Sequence, residues 1–462
     1  MCNGRLSEFA RICGGELRGE DATFTGLTTD TRKLSANDLF VALSGPNYDG
    51  YDFLDQAQSL GACGFVVNRA APEHLPHVVV DDTRAALGQF ATNWRQRFNI
   101  PVAAITGSNG KTGTKEMLAA ILAVEHETLA TGGNLNNDIG VPLTLLRLKR
   151  KHQAAVIELG ANNPGEIAYL AGLTVPDVGV ITNASASHLE GFGDLIGVAR
   201  EKGALLAALG DTGTAIINAD DAFSAYWQDL TNAGTVFTFG RHADADFHVF
   251  DITQSVSGAT ALLMFQLATP AGECAIELPV AGEHNAVNAA AAAAAAYAMG
   301  CSLDVIRTGL AKANSVAGRM QIRTAACGAR VIDDSYNSNP ASARAAISFL
   351  ADQKEPGWVV LGDMGELGSN APDMHASIGR FAKEMGIRRL YAVGKLSRAA
   401  VAAFGDGALW FESAAELQDK LVADLTTGVN VLVKASRAMQ LDAVAKALSG
   451  PVSASGARAD TC

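Results

Sequence analysis

A glycine-rich turn, TGSNGKT at residues 106–112, follows the apolar run VAAI and opens a stretch with helical pattern. A strand, a turn of this kind and a helix make a phosphate cradle, because backbone N–H groups and the helix N-terminus converge on phosphate oxygens. Gly107, Ser108, Asn109, Gly110 and Gly113 supply the turn and the start of the helix. Lys111 would reach terminal phosphates, and the Thr112 hydroxyl would meet Mg²⁺. Ile105 stands where the general P-loop pattern has its first glycine.

Other candidates recur at strand ends, where open parallel sheets meet their ligands. Glu158 closes AAVIE and could hold Mg²⁺ directly or through water, or be an ordinary cap or surface acid. The next strand runs into TNASASHLEGFG, with Asn183, His188 and Glu190. A lone histidine there is a ligand candidate or a satisfied structural residue. Lys202 falls on the apolar stripe of Val198, Leu205, Leu206 and Leu209, while Arg200 and Glu201 are expected on other faces. Two readings of Lys202 stand: a snorkelling stem, or a nitrogen modified or paired near phosphates, since a bare buried ammonium is costly. Further on, GRMQ and VIDDSYNSNP bring Arg319, Asp334, Tyr336, Asn337 and Asn339 close in sequence, with Pro340 suited to the first turn of a helix. LGDMGELG and VKASRAMQ add Asp363, Glu366, Lys434, Ser436 and Arg437 after strands.

The elements that must position these residues fall into three textures. Residues 1–82 mix short strands with turns rich in Gly, Asn and Asp, a small α/β unit. Residues 83–314 alternate strand and helix, with an antiparallel addition near 235–280 and an alanine-rich helix from His284 to Gly300. Residues 315–462 read as an open Rossmann-type sheet without G-x-G-x-x-G. The expected class is α/β in three domains, with a mostly parallel central sheet.

Over 462 residues, 48% apolar and 18% charged, the chain has ample core-forming material, and its formal net charge of −12 argues against a nucleic-acid partner. Seven scattered cysteines without C-x-x-C spacing fit a reducing, cytoplasmic setting. No run reaches the roughly 18 apolar residues of a spanning helix, so no membrane insertion is expected. A monomer is the simplest expectation.

Together and in order, TGSNGKT, the strand-end Glu158, HLEGFG with Lys202, GEHNAVNAAAA, GRMQ and DDSYNSNP resemble the Mur ligase family across nearly the whole chain. The family's own loop, T-G-x-N-G-K-T, accommodates Ile105. GNLNNDIGVPLTLL, DDSYNSNPAS and LGDMGELG resemble the branch that adds D-alanyl-D-alanine, and the DNPR signature of a sister enzyme is absent. The resemblance implies a UDP-sugar domain, a central ATPase and a C-terminal Rossmann-like domain. It implies an ATP-dependent ligase of peptidoglycan precursor synthesis that activates UDP-N-acetylmuramoyl-tripeptide as an acyl phosphate for attack by D-alanyl-D-alanine.

By matching position, Lys111, His188 and Lys202 would be catalytic. Thr112, Glu158, His188 and Lys202 would serve two Mg²⁺ ions, Lys202 as a carbamate. His284, Asn285, Asn288, Arg319, Asp334, Tyr336 and Asn337 would flank ATP. Thr29, Thr31, Arg32, Asn47, Asp49 and Gly50 would meet the uridine diphosphate, Asn134, Asn136 and Asn137 the rest of that substrate, and Lys434, Ser436 and Arg437 the third-domain side. The alternatives are another amide ligase of this architecture, such as a folylpolyglutamate synthase, and a nucleotide-dependent switch.

Overall fold

A computed structural model describes residues 2–45 and 48–449. Val102–Thr106, Ala154–Glu158 and Val178–Ile181 are buried at every position. Strands apolar on both faces need helices on both sides, and this favours parallel pairing with helical crossovers. Their register decides the function of this edge: Ile105 lies opposite Glu158, and Thr106 opposite Ile181. The turn after Thr106, the Glu158 carboxylate and the loop after Ile181 therefore emerge side by side.

These strands belong to a nine-stranded sheet. It begins at Thr128–Ala130 and runs through Ala154–Glu158, Val102–Thr106, Val178–Ile181, Thr214–Asn218 and Thr235–Gly240 to Phe247–Ser257, all in parallel pairs. Thr260–Thr269 and Gly272–Leu278 complete it antiparallel. The change of direction comes later than the sequence texture suggests. Thr235–Gly240 arrives by a crossover through the helix Ser224–Leu230 and so remains parallel.

A five-stranded sheet precedes it, ordered Glu16–Arg18, His77–Val79, Gly64–Val67, Asp38–Val41, Gly26–Thr28. It leads into the helix Thr83–Arg95, whose cap is Asp82, accepting from the N–H groups of Arg84 and Ala85 at 2.7 and 3.1 Å. Phe90 of that helix meets Phe9 with ring centroids 4.7 Å apart, and the same apolar cluster continues to Ala104 and Ile157. The first segment is thus welded to the central sheet through one core. A six-stranded sheet closes the chain, ordered Gln321–Thr324, Arg330–Asp334, Asn430–Lys434, Gly357–Gly362, Arg389–Val393, Ala408–Phe411. It is parallel apart from the Gln321–Thr324 edge. Among the described residues no helix is long and apolar enough to cross a membrane.

The helix His284–Ala298 explains the alanine run. Ala286 and Ala289 through Ala296 have no exposed surface at all. The helix lies between the central sheet and the helix Lys111–Leu122. Alanine supplies high helix propensity and a methyl surface thin enough for backbones to approach on every side. Its first turn carries Asn285 and Asn288 to the phosphate turn. Leucine at Ala292 would have to displace packed backbone. We expect Ala292→Leu to destabilise the protein by about 1–3 kcal/mol, read as a lower denaturation midpoint; an unchanged midpoint would contradict this packing.

Candidate active site

The phosphate turn is fixed by lack of space. Gly107 and Gly110 have φ of 143° and 83°. A Cβ on Gly107 would lie 2.0 Å from Thr182 Oγ1, and one on Gly110 2.4 Å from Asn288 Oδ1. Gly110 then starts the helix Lys111–Leu122 with no side chain capping it, so its leading N–H groups face the cavity side as an anion site. The loop after Ile181 laces the turn in place. Asn183 Oδ1 accepts from Asn109 N at 3.0 Å, Ser108 Oγ donates to Ser185 O at 3.1 Å, and Ser187 Oγ lies 3.0 Å from Ser108 Oγ. Ser185 and Ser187 were not singled out from sequence; the polar ASASH run directly after a strand was their signal. Lys111 folds back onto the turn, donating to Gly107 O at 2.5 Å and Ser108 O at 3.2 Å. Burial lowers its pKa to about 8, against the opposing pull of Glu158.

Glu158 is 2% exposed. Its Oε1 accepts from Asn136 Nδ2 at 2.8 Å, and its N–H donates to Thr131 Oγ1 at 3.0 Å. Its Oε2 is buried with no donor among the described residues. A buried carboxylate oxygen without a partner is costly, and a hard cation would relieve it, so the site fits Mg²⁺. Thr131, which holds the strand end, carried no sequence signal. His188 sits in the left-handed region at φ 52°, with Nδ1 against the carboxylate of Glu366. Burial lowers its pKa, partly countered by Glu366.

Lys202 lies in the helix Leu195–Ala207 and is buried with Val198, Leu205 and Leu206 as the stripe implied. Its ammonium is 5.3 Å from the centroid of Phe192. Burial first, and the charge of Lys111 second, lower its pKa to about 7. Glu201, expected on a face other than the Lys202 stripe, is buried there as well. It is 6% exposed and accepts from Gly165 N at 2.8 Å and Ile167 N at 2.6 Å, capping the helix Glu166–Thr174. The helix is packed on two sides, so two successive charged residues are buried.

The third unit completes the site. Arg319 Nη2 donates to Thr112 Oγ1 at 3.0 Å while its guanidinium stacks 4.3 Å from the Tyr336 centroid. Asn339 Nδ2 donates to Asn109 Oδ1 at 2.8 Å, and its Oδ1 accepts from Ser342 N at 2.9 Å to cap the helix Pro340–Ala351. Asp334 and Lys434 are cross-strand neighbours, and they pair with each other at 2.5 Å. Asp334 also accepts from Met320 N at 3.1 Å, and Lys434 donates to Asn337 O at 3.0 Å. The sequence reading gave this pair to ATP and substrate separately. Their charges instead neutralise each other, because a 2% exposed ammonium needs a partner at hand.

A cavity of about 990 Å³ joins these parts. Lys111, Glu158, His188, Asn134, Asn136 and Asn137 line it, as do His284, Asn285, Asn288, Arg319, Asp334, Tyr336, Asn337, Lys434, Ser436 and Arg437. Gly107, Thr112 and Lys202 are not in its lining. The four expected metal residues therefore do not form one exposed group: Thr112 is engaged by Arg319, and Lys202 is 1% exposed. Among the described residues no cluster of three His, Cys, Asp or Glu side chains is assembled for a metal.

The first unit's candidates stand apart from this cavity. Thr31 Oγ1 donates to Gln56 Oε1 at 3.3 Å, Arg32 pairs with Asp30 at 2.8 Å, and Asp49 pairs with Arg69 at 2.9 Å. Thr29 is half-buried beside them. Gly50 is a packing glycine, since a Cβ would lie 2.7 Å from the Leu43 backbone. Asn47 lies outside the described residues.

Comparison with known proteins matches this architecture segment by segment. The Mur ligase family catalytic domain matches residues 23–95, the Mur ligase middle domain 105–296, and the Mur ligase glutamate ligase domain 318–437. The UDP-N-acetylmuramoyl-tripeptide–D-alanyl-D-alanine ligase of Escherichia coli is 43% identical over 97% of this chain and 99% of its own. The Bacillus subtilis enzyme of the same name is 34% identical over 97% and 99%. A crystal structure of MurF from Acinetobacter baumannii superposes with a TM-score of 0.90 at 34% identity, covering 97% of this chain and 99% of that one. With family models spanning most of the chain and relatives of this similarity aligned along nearly its full length, the chain belongs to the Mur ligase family.

Proposed function

We propose that this protein is an ATP-dependent ligase that joins D-alanyl-D-alanine to UDP-N-acetylmuramoyl-tripeptide in peptidoglycan precursor synthesis. One observation carries the reading. The phosphate turn is bonded directly to the third unit, through Arg319 to Thr112 and Asn339 to Asn109. A phosphoryl group and a nucleophile held by different units can then meet in one cavity. Relatives bearing this activity as their name, 43% and 34% identical, support the choice of substrates. The division of labour follows: residues 1–82 bind the UDP-sugar, 83–314 bind ATP, and 315–462 bind the incoming dipeptide. The substrates are a nucleotide sugar, a dipeptide and ATP, which suits a monomer working in the cytoplasm.

A carboxylate is a poor electrophile, so its oxygen first attacks the γ-phosphorus of ATP and ADP leaves. The dipeptide nitrogen then attacks the acyl carbon, loses its proton, and phosphate departs. The obstacle in the first step is repulsion between anions. Lys111 and the helix N-terminus stabilise charge on the transferring phosphoryl group, and Arg319 approaches from the other side. Mg²⁺, held by Glu158 and His188, would supply the remaining charge neutralisation. Contacts of this kind are worth about 2.7–4 kcal/mol each in the barrier. Lys202 serves the same region best as a carbamate, since adding CO₂ replaces a buried cation by a carboxylate able to face a second Mg²⁺.

Phosphate release should require both the tripeptide nucleotide and D-alanyl-D-alanine and should match amide formed. Hydrolysis independent of the dipeptide would instead indicate a switch, and turnover of another amino acid a different ligase. Lys202→Ala should lose nearly all activity and recover part of it with acetate or formate; activity like the parent's would remove the carbamate.

Lys202→Met has a separate stability signature. Between about pH 7 and the ordinary lysine range, the unfolded chain binds a proton that the folded Lys202 rejects, so the parent's stability rises with pH across that window. In bicarbonate-free buffer the variant should melt higher than the parent at neutral pH, with the gap shrinking as pH rises. A variant that melts lower throughout would contradict a buried, uncompensated ammonium.

A further inference from the structure

Five acidic side chains line the cavity: Glu158, Glu166, Asp220, Asp334 and Glu366. Four accept from protein donors through at least one oxygen. Glu158 is held by Asn136 at the buried strand end. Glu166 accepts from Asn162 N at 2.7 Å and Asn163 Nδ2 at 2.8 Å. Asp220 accepts from the N–H groups of Arg241 and His242 at 2.8 and 2.9 Å. Asp334 is paired with Lys434. Glu366 differs. Its side chain is 52% exposed, and its contact among the described residues is the imidazole of His188.

Its position is held from below. Met364 and Leu367 are buried on either side, and His375 Nε2 accepts from Met364 N at 2.9 Å. Glu366 itself is held at φ 60°, a backbone state rare for a residue with a side chain and one that persists only where surroundings impose it. The loop lies between the two parts of the site that the second half-reaction must join. On one side is His188, beside the phosphate turn. On the other, a Cβ on Gly365 would lie 3.7 Å from Ser436 Cβ, and the next residue, Arg437, presents an exposed guanidinium with no salt bridge among the described residues. A carboxylate beside His188 and an exposed guanidinium after the adjacent loop offer one charge of each sign, as the two ends of a zwitterion require.

We infer that Glu366 binds the ammonium of the incoming dipeptide and holds it beside the acyl phosphate, where the nitrogen loses one proton to solvent before the free amine attacks, an assignment that rests on the ligase reading above. A carboxylate placed for a charged donor favours that donor over an analogue that lacks the charge, because a charge-assisted hydrogen bond is then replaced by a weaker neutral one. Glu366 is a specificity-determining residue for the second substrate.

The test uses the full-length protein with ATP, Mg²⁺ and UDP-N-acetylmuramoyl-tripeptide. Glu366→Gln should raise KM for D-alanyl-D-alanine roughly tenfold or more, raise KM for ATP and for the tripeptide nucleotide by clearly less than that, and be partly rescued in Glu366→Asp. The second readout is competition by D-lactyl-D-alanine, which carries a hydroxyl in place of the ammonium. The parent should prefer the amine over the hydroxyl analogue, and Glu366→Gln should narrow that preference. An unchanged KM for the dipeptide, or equal losses for both ligands, would overturn the assignment and leave the ligase reading standing. A parent protein that forms no amide from the dipeptide would overturn the ligase reading and this assignment with it.

Discussion

The site rests on a close approach. The phosphate turn passes between Thr182 and the side chain of Asn288 with no room for a Cβ at Gly107 or Gly110. Everything around it follows from keeping that gap. The alanine helix is thin enough to bring Asn288 to the turn. The parallel register sets Thr182 directly after Ile181, opposite Thr106. Asn183, Ser185 and Ser187 then bind the turn's polar groups, leaving its leading N–H groups for a ligand. A glycine turn is flexible by itself; here its neighbours remove that freedom, and a preorganised cradle results.

Charge is handled with the same economy. Burial, with the charge of Lys111 added to it, depresses the affinity of Lys202 for a proton, while burial and Arg319 depress that of Lys111 against the opposing charge of Glu158. Such a cluster is poor for stability and useful for phosphoryl transfer, since poorly hydrated groups interact strongly with a ligand's developing charge. The Asp334–Lys434 pair shows the opposite use of charge. Its members satisfy each other and fix the strand ends from which Tyr336, Asn337, Ser436 and Arg437 are displayed. Residues of similar type near one cavity thus divide into those kept reactive and those spent on shape.

Much of this was legible in the chain. The strand-end placement of Glu158 and the buried stripe of Lys202 followed from periodicity, which is a local property. The pairing of Asp334 with Lys434 was not, because the two are brought together only by adjacent strands of a sheet whose order differs from chain order. The burial of Glu201 was not legible either, because the stripe argument identifies one packed face, while the helix Leu195–Ala207 buries residues beyond that stripe. Ser185, Ser187 and Thr131 carry no type-specific signal; they matter for what lies across from them.

By itself, then, the sequence determined the α/β class, the phosphate turn, the strand-end acids and the chemistry these imply, since those depend on spacing within a few residues. Tertiary structure decided which polar groups are free. It gave Thr112 to Arg319, Asp334 to Lys434 and Asn109 to Asn339, and left Glu158 with an unpartnered oxygen and Glu366 half exposed with His188 as its contact. The reason is geometric: whether a charged side chain is a structural partner or a reagent depends on the donors within about 3 Å of it, and most of those come from distant parts of the chain.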